Sequence, residues 1–249
     1  MTTPPSLAAD LAQVAGAAPE RILAWAAERF PGRVAFASSL GIEDQVVVHH
    51  IATAGLPIPV FTLDTGRLFP ETYDLIAATR ERYGLPIRVY SPEAAAVETL
   101  VNEHGVDCYR QSVDLRKTCC GVRKLQPLKR ALAGLEAWIC GLRRGQGPTR
   151  AEVQELEWDA GNRLIKINPL AGWDAERVRA FALEHGVPVN PLHARGFPSI
   201  GCACCTRAIE PGEDERAGRW WWELPEQKEC GLHFKDGKLV RAKTLETKP

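Results

Sequence analysis

Apolar and polar positions recur along the first two-thirds of the chain with two different periods. Residues 19–30 (PERILAWAAERF) open on Pro19, which suits the first turn of a helix, and put Ile22, Leu23, Ala26 and Phe30 at helical spacing. RVAFAS at 33–38 reads as a short buried strand, and SLGIEDQVVVHHIATAG as a turn feeding a helix that stops at Gly55. PVFTLD at 59–64 predicts a second strand, TGRLFP a turn, and ETYDLIAATRERYG the next helix. LPIRVY at 85–90 predicts a third strand and 93–104 another helix, while LEAWICGLRRGQ at 135–146 reads as a strand running into a basic loop. VQELEWD and RLIKINPL predict two more strands, and WDAERVRAFALEHG a helix capped by Asp174 and stopped by Gly186. From residue 188 onward Pro, Gly, Cys and Trp dominate and the periodicity fades.

Strand–turn–helix units at this spacing predict an α/β fold, a parallel sheet with flanking crossover helices. Ligands in such sheets sit beyond the carboxyl ends of the strands, which makes Ser38 to Asp44 and Asp64 to Phe69 candidate binding loops. The expected organisation is a core over residues 1–205 and a C-terminal segment, 206–249, laid over it. The polar end of that segment (KDGKLVRAKTLETKP) is expected to be mobile.

Composition narrows the function classes. The 249 residues are 45% apolar and 25% charged, the balance of an ordinary globular protein with a sizeable core. Lys plus Arg equals Asp plus Glu at 31 each, so nucleic-acid binding gains no support and any basic site must be local. No apolar run approaches the roughly 18 residues of a membrane span, and the N-terminus lacks a basic-then-apolar signal pattern. A cytoplasmic protein away from membranes is expected. Eight cysteines in a reducing compartment then argue for metal or redox chemistry rather than disulfides.

Cys119 and Cys120 are adjacent in KTCCGVRK, and Cys202 and Cys205 form a C-x-x-C in SIGCACCTRA. Two closely spaced thiolate pairs can hold a zinc ion or a 4Fe–4S cluster. Neighbouring residues aim poorly at one atom but can each take a different iron of a cubane, which favours iron–sulfur. Cys204 lies inside the second pair, so its ligation stays open on spacing. Cys108 and Cys140 read as packing residues, as do His49 and His50 within a helix and at least two tryptophans of GRWWWE. Cys230, in QKECGLHF, has Lys228 and His233 close by; nearby cations lower a thiol pKa and make a candidate nucleophile.

KTCCGVRK, SIGCACCTRAI, GRWWWE and KECGLHF together resemble the assimilatory adenylylsulfate (APS) reductases, the cluster-bearing branch of the APS and PAPS reductase family. SSLGIEDQV and LDTGRLFPETY resemble the family's nucleotide-binding end, so the likeness runs in order from about residue 33 to 234. It implies an adenine-nucleotide α-hydrolase-like (Rossmann-like) core, a C-terminal tail carrying the nucleophile, and thioredoxin-dependent reduction of APS to sulfite and AMP through an S-sulfocysteine. Carried over by position, Cys119, Cys120, Cys202 and Cys205 match the 4Fe–4S ligands and Cys230 the catalytic nucleophile, leaving Cys204 spare. Lys124, Arg216, Arg219 and His233 match the family's basic substrate contacts. Ser38, Ser39 and Gly41 match its modified phosphate loop, Asp64, Thr65 and Gly66 its second nucleotide loop, and Arg143 and Arg144 fall in its basic loop.

The chemistry explains the basic residues. Each like-charge pair between a thiolate and a phosphosulfate, at roughly 4 Å and an effective dielectric near 20, costs about 4 kcal/mol. Local cations must cancel that repulsion, and Arg216 and Arg219 are expected to clamp the phosphosulfate while Cys230 attacks sulfur. A PAPS reductase is the nearest alternative. A tRNA sulfur-transfer enzyme is more distant, because Leu40 stands where its loop wants glycine. A non-catalytic zinc module is a third. The partners expected are APS and thioredoxin, with no nucleic acid and no membrane; a homo-oligomer stays open.

Overall fold

The computed structural model describes residues 6–147 and 150–224. Among them run helices α1 (Leu7–Val14), α2 (Pro19–Arg29), α3 (Ile42–Thr53), α4 (Pro70–Tyr83), α5 (Ala94–His104), α6 (Val113–Cys120), α7 (Gln126–Ala131) and α8 (Ala175–Glu184). The strands are β1 (Val34–Ser38), β2 (Val60–Leu63), β3 (Ile87–Tyr90), β4 (Ala137–Ile139), β5 (Leu156–Asp159) and β6 (Leu164–Ile167). They form one sheet in the order β3-β2-β1-β4-β6-β5.

Side chains alternate across each strand, and the two faces build two cores. Val34, Phe36, Val60, Ala137, Ile139, Ile165 and Ile167 face one side, with α2, α3 and α8; Ala35, Phe61, Trp138 and Leu164 face the other, with α7. The α3 run VVVHHI shows no clean polar face because Val46, Val47, Val48 and Ile51 are all fully buried. Asp174 caps α8 by accepting the Arg177 amide at 2.7 Å, and Gly186 follows it with φ +57°.

Five strands are parallel, as expected, and β5 is not: it pairs antiparallel with β6. The reason is local. Only a tight turn separates β5 from β6, too short for a crossover helix. Asp159 seals that turn by accepting the Asn162 amide and side chain at 3.1 and 2.8 Å. The helical run from Val113 to Ala131, including a π-helical turn at Gly121–Leu125, was not evident from periodicity.

The chain passes from β1 to β2 on one side and later to β4 on the other. The carboxyl ends of β1 and β4 therefore flank the crevice where ligands bind in such sheets. Residues 206–224 pack onto the core, with a bridge between Thr206 and Arg219 and a fully buried Trp220. Among the described residues no helix is long and apolar enough to cross a membrane.

Candidate functional site

A cavity of about 210 Å³ opens at the carboxyl ends of β1, β2 and β4. Several chain segments wall it, and the first is the β1–α3 loop. Ser38 ends β1 and its Oγ accepts the Leu40 amide at 3.1 Å, while Leu40 takes a left-handed φ of +62° with its side chain buried. Gly41 caps α3. Ser38, Ser39 and Gly41 all line the cavity.

Asp44, in the first turn of α3, organises this loop. Its carboxylate accepts the Ser39 amide at 2.5 Å and the Ser39 hydroxyl at 2.6 Å, and it also receives the Gly141 amide. A Cβ at residue 141 would lie 2.1 Å from Asp44 Oδ1, so the close approach requires glycine there. Burial pushes the Asp44 carboxyl up to about 6, against the pull of those hydrogen bonds.

That shift has a sign that can be measured. Between the ordinary carboxylate range and about 6, the folded protein holds a proton that the unfolded chain has lost. Stability is therefore withdrawn as pH rises through that window, by an amount on the order of 3 kcal/mol. Melting curves should show the parent gaining on Asp44→Asn protein between pH 7.5 and pH 4.5. A gap between the two that ignores pH would refute the assignment.

The second wall is the loop after β2. Thr65 lines the cavity, is buried, and sets its hydroxyl 3.3 Å from Cys202 Sγ. Asp64 and Gly66 do not line it: Asp64 accepts the Gly66 amide and the Tyr73 hydroxyl at 2.7 and 2.8 Å, shaping the turn. Gly66, at φ +68°, lets the chain reverse.

The basic loop after β4 is the third wall, and its arginines divide. Arg143 and Arg144 are not among the residues that line the cavity, although Arg143 pairs with two that are, Glu43 and Glu215. Arg143 is buried between Glu43 at 2.8 Å and Glu215 at 2.7 Å. Arg144 donates to the Val153 carbonyl at 2.8 Å and pairs with Glu155 at 3.3 Å. Gln146 and Arg150 line the cavity instead, joined at 2.6 Å.

The fourth wall brings Arg216, Arg219 and Trp220 from the C-terminal segment to the cavity, where Lys124 also lies. Arg219 donates to Ser199 Oγ and the Ile200 carbonyl, both at 3.3 Å, and stacks over Trp220 at 4.7 Å. Cys230 and His233 lie outside the described residues.

Against this cavity sits a thiol pocket. Cys119, Cys120, Cys202, Cys204 and Cys205 line it with Arg67, Arg116 and Arg123, and it shares Lys124 and Trp220 with the cavity. Cys119 and Cys120 end α6, and the π-helical turn that follows carries Lys124 to both sites; such turns are frequent at functional sites. Cys202 precedes, and Cys205 ends, a 3₁₀ turn pinned by the Ala203 amide to the Arg67 carbonyl at 2.8 Å. Cys108, read from sequence as a packing residue, is buried in the same cluster.

Among the described residues no three His, Cys, Asp or Glu side chains gather closely enough to hold a single metal ion. Five thiols line one pocket, those of Cys119, Cys120, Cys202, Cys204 and Cys205, and four cysteine sulfurs are the donor set that a polynuclear iron–sulfur centre takes. Burial, then the neighbouring Cys120, pushes the Cys119 thiol up to about 12, whereas a hydrogen bond with Cys205, and then Arg67, pull the Cys204 thiol down to about 5.

Gly141, Gln146, Arg150 and Trp138 escaped the sequence reading, and Asp44 entered it only as the end of a candidate binding loop. Asp44 carried one signal, an acidic residue beginning a helix after a serine loop. Nothing local marked Gly141, whose role depends on a side chain nearly a hundred residues earlier.

A model of the phosphoadenosine phosphosulfate reductase domain matches residues 33–208. An adenosine 5′-phosphosulfate reductase of Agrobacterium fabrum is 56% identical over 202 residues, covering 81% of this chain and 78% of that protein. One from Allochromatium vinosum is 52% identical over 232 residues, covering 93% and 90%. Among solved structures, a PAPS reductase from Candida auris in complex with phosphate superposes with TM-score 0.71 at 27% identity, covering 82% of this chain and 97% of that one. Candida glabrata FMN adenylyltransferase with ATP matches at TM-score 0.54 and 15% identity, covering 97% and 78%, a likeness of fold alone.

Proposed function

This chain belongs to the phosphoadenosine phosphosulfate reductase domain family, and from that premise we infer that it reduces adenosine 5′-phosphosulfate to sulfite and AMP in sulfate assimilation. One observation carries the reading beyond kinship: a cavity bounded by the serine loop and by Lys124, Arg216 and Arg219 abuts a pocket of cysteines. A substrate with an adenosine end and a phosphosulfate end has one use for each half.

The serine loop and the N-terminus of α3 receive the nucleotide, with Thr65 and Trp138 among the walls. Arg216 and Arg219 bind the phosphosulfate, supplying the charge that lets a thiolate approach an anion. Cys230 is the nucleophile. Its sulfur attacks the sulfate sulfur, the bridging S–O bond breaks, and AMP leaves with the electron pair. The cysteine is left as an S-sulfonate. One thiolate of an external dithiol then attacks Cys230 Sγ and expels sulfite, and the second thiol resolves the mixed disulfide, so the dithiol supplies both electrons. Thioredoxin is the reductant of the right chemistry, and the cytoplasm the compartment that keeps it reduced.

Cys119, Cys120, Cys202 and Cys205 would hold a 4Fe–4S cluster, which supplies fixed charge beside the cavity and a template for the turn bearing Lys124. Incubation with APS and no reductant tests the whole scheme. Intact mass spectrometry should show a sulfonate-sized adduct mapping to Cys230. An unmodified protein that has nonetheless released AMP would end it.

A further inference from the structure

Arg116 lies on α6, four residues before Cys120, and is fully buried. Its guanidinium makes three contacts at once. Nε and Nη2 donate to the two oxygens of Glu223 at 2.9 and 2.6 Å. The guanidinium carbon stands 4.9 Å from the centre of the Trp220 ring, and the group also hydrogen-bonds the sulfur of Cys120. Glu223 is equally buried and 107 positions away in the chain.

Such a pair is a poor stabilising device. Burying two charges costs nearly as much as their attraction returns, and apolar residues of the same shape often do as well. What a fork-to-fork pair does supply is register, because only one placement of the carboxylate satisfies both donors. Arg67 and Arg123, which also line the thiol pocket, direct donors to the carbonyls of Val106 and Thr65. Arg116 instead reaches the C-terminal segment at its far end. The near end is held separately, where Arg143 and Arg179 grip Glu215 at 2.7 and 3.4 Å. Between these anchors lie Arg216 and Arg219, and Cys230 follows Glu223 by seven positions.

We propose that Arg116 is a positioning residue that couples the cysteine-bearing helix to the C-terminal segment at Glu223, so that the four-cysteine centre sets the placement of residues 219–224, from which the chain continues to Cys230. The inference rests on the reading of Cys230 as nucleophile and of the cysteines as cluster ligands. It assigns the pair a task that stability alone does not explain. A lysine in place of Arg116 keeps the charge but cannot form the fork, which isolates geometry from electrostatics.

The test uses iron-loaded protein carrying Arg116→Lys, Glu223→Gln, or both Arg116→Met and Glu223→Leu. Hydrogen exchange at residues 219–224 is read beside visible absorbance, melting temperature and the single-turnover rate of the Cys230 adduct. Arg116→Lys should speed exchange at 219–224 by about tenfold or more and slow adduct formation by about 100-fold, with the KM for APS little changed. The apolar double variant should recover the parent melting temperature without recovering the adduct rate, which a merely structural pair would restore. Glu223→Gln, away from the sulfurs, should show the same exchange signature if Arg116→Lys fails to fold. Parent-like exchange in Glu223→Gln, or a parent-like adduct rate in the double variant, overturns the proposal. A parent protein that forms no adduct refutes the nucleophile instead, and the exchange data still decide the coupling.

Discussion

Serine at position 230 is expected to cut sulfite release by about 10⁴-fold or more while leaving AMP affinity within about twofold. A hydroxyl of ordinary acidity is almost wholly protonated at neutral pH, and the mechanism requires an anionic, reducible sulfur. No substitute is at hand among the described residues. Cys140 is the one thiol lining the cavity there, and burial raises its pKa far above the ordinary thiol range. Nucleotide binding draws on the serine loop and the walls of the cavity, so it should survive. Calorimetry with AMP and a sulfite assay separate the two. Undiminished turnover by Cys230→Ser protein, or an adduct found on Cys140, would refute the scheme.

The second large effect concerns the thiol pocket. Cys120→Ser protein should lose its visible absorbance and its turnover together, whereas Cys204→Ser should keep both. Cys120 ends the helix whose continuation carries Lys124, and it faces sulfurs from the 202–205 turn across a long stretch of chain. A centre spanning both segments would close that loop and fix the turn that carries Lys124. Cys204 lines the same pocket, but its sulfur is already engaged by Cys205 Sγ at 3.7 Å and Arg67 Nη1 at 3.8 Å. Iron content, the visible band and sulfite release are the three readings. An active, colourless Cys120→Ser enzyme would show that the centre has no part in the reaction, and loss of the band in Cys204→Ser would reassign the ligands.

The two cysteine pairs also show how much of the site lay open to reading. Their spacing, with basic residues around them, pointed to a shared centre before any geometry was known, and the structure brings the four around one pocket. Asp64, Thr65 and Gly66 matched a nucleotide loop by resemblance; Thr65 lines the cavity, and Asp64 accepts the Gly66 amide in the turn around it. Arg143 and Arg144 matched a basic loop, and their partners could not be guessed. Glu43 and Glu215 lie 100 and 72 positions away from Arg143, and no local pattern records such a meeting.

The order of residues alone determined the repeating strand–turn–helix units, the loops at strand ends, and the kinds of chemistry available, because periodicity, turn residues and reactive side chains act within a few positions of one another. Tertiary structure decided which basic side chains line the cavity, that β5 turns back on β6, that Asp44 needs Gly141, and that Arg116 grips Glu223. Those outcomes depend on packing between segments far apart in the chain. Burial there makes an unpaired charge or a misplaced Cβ costly, and that cost selects one partner among many.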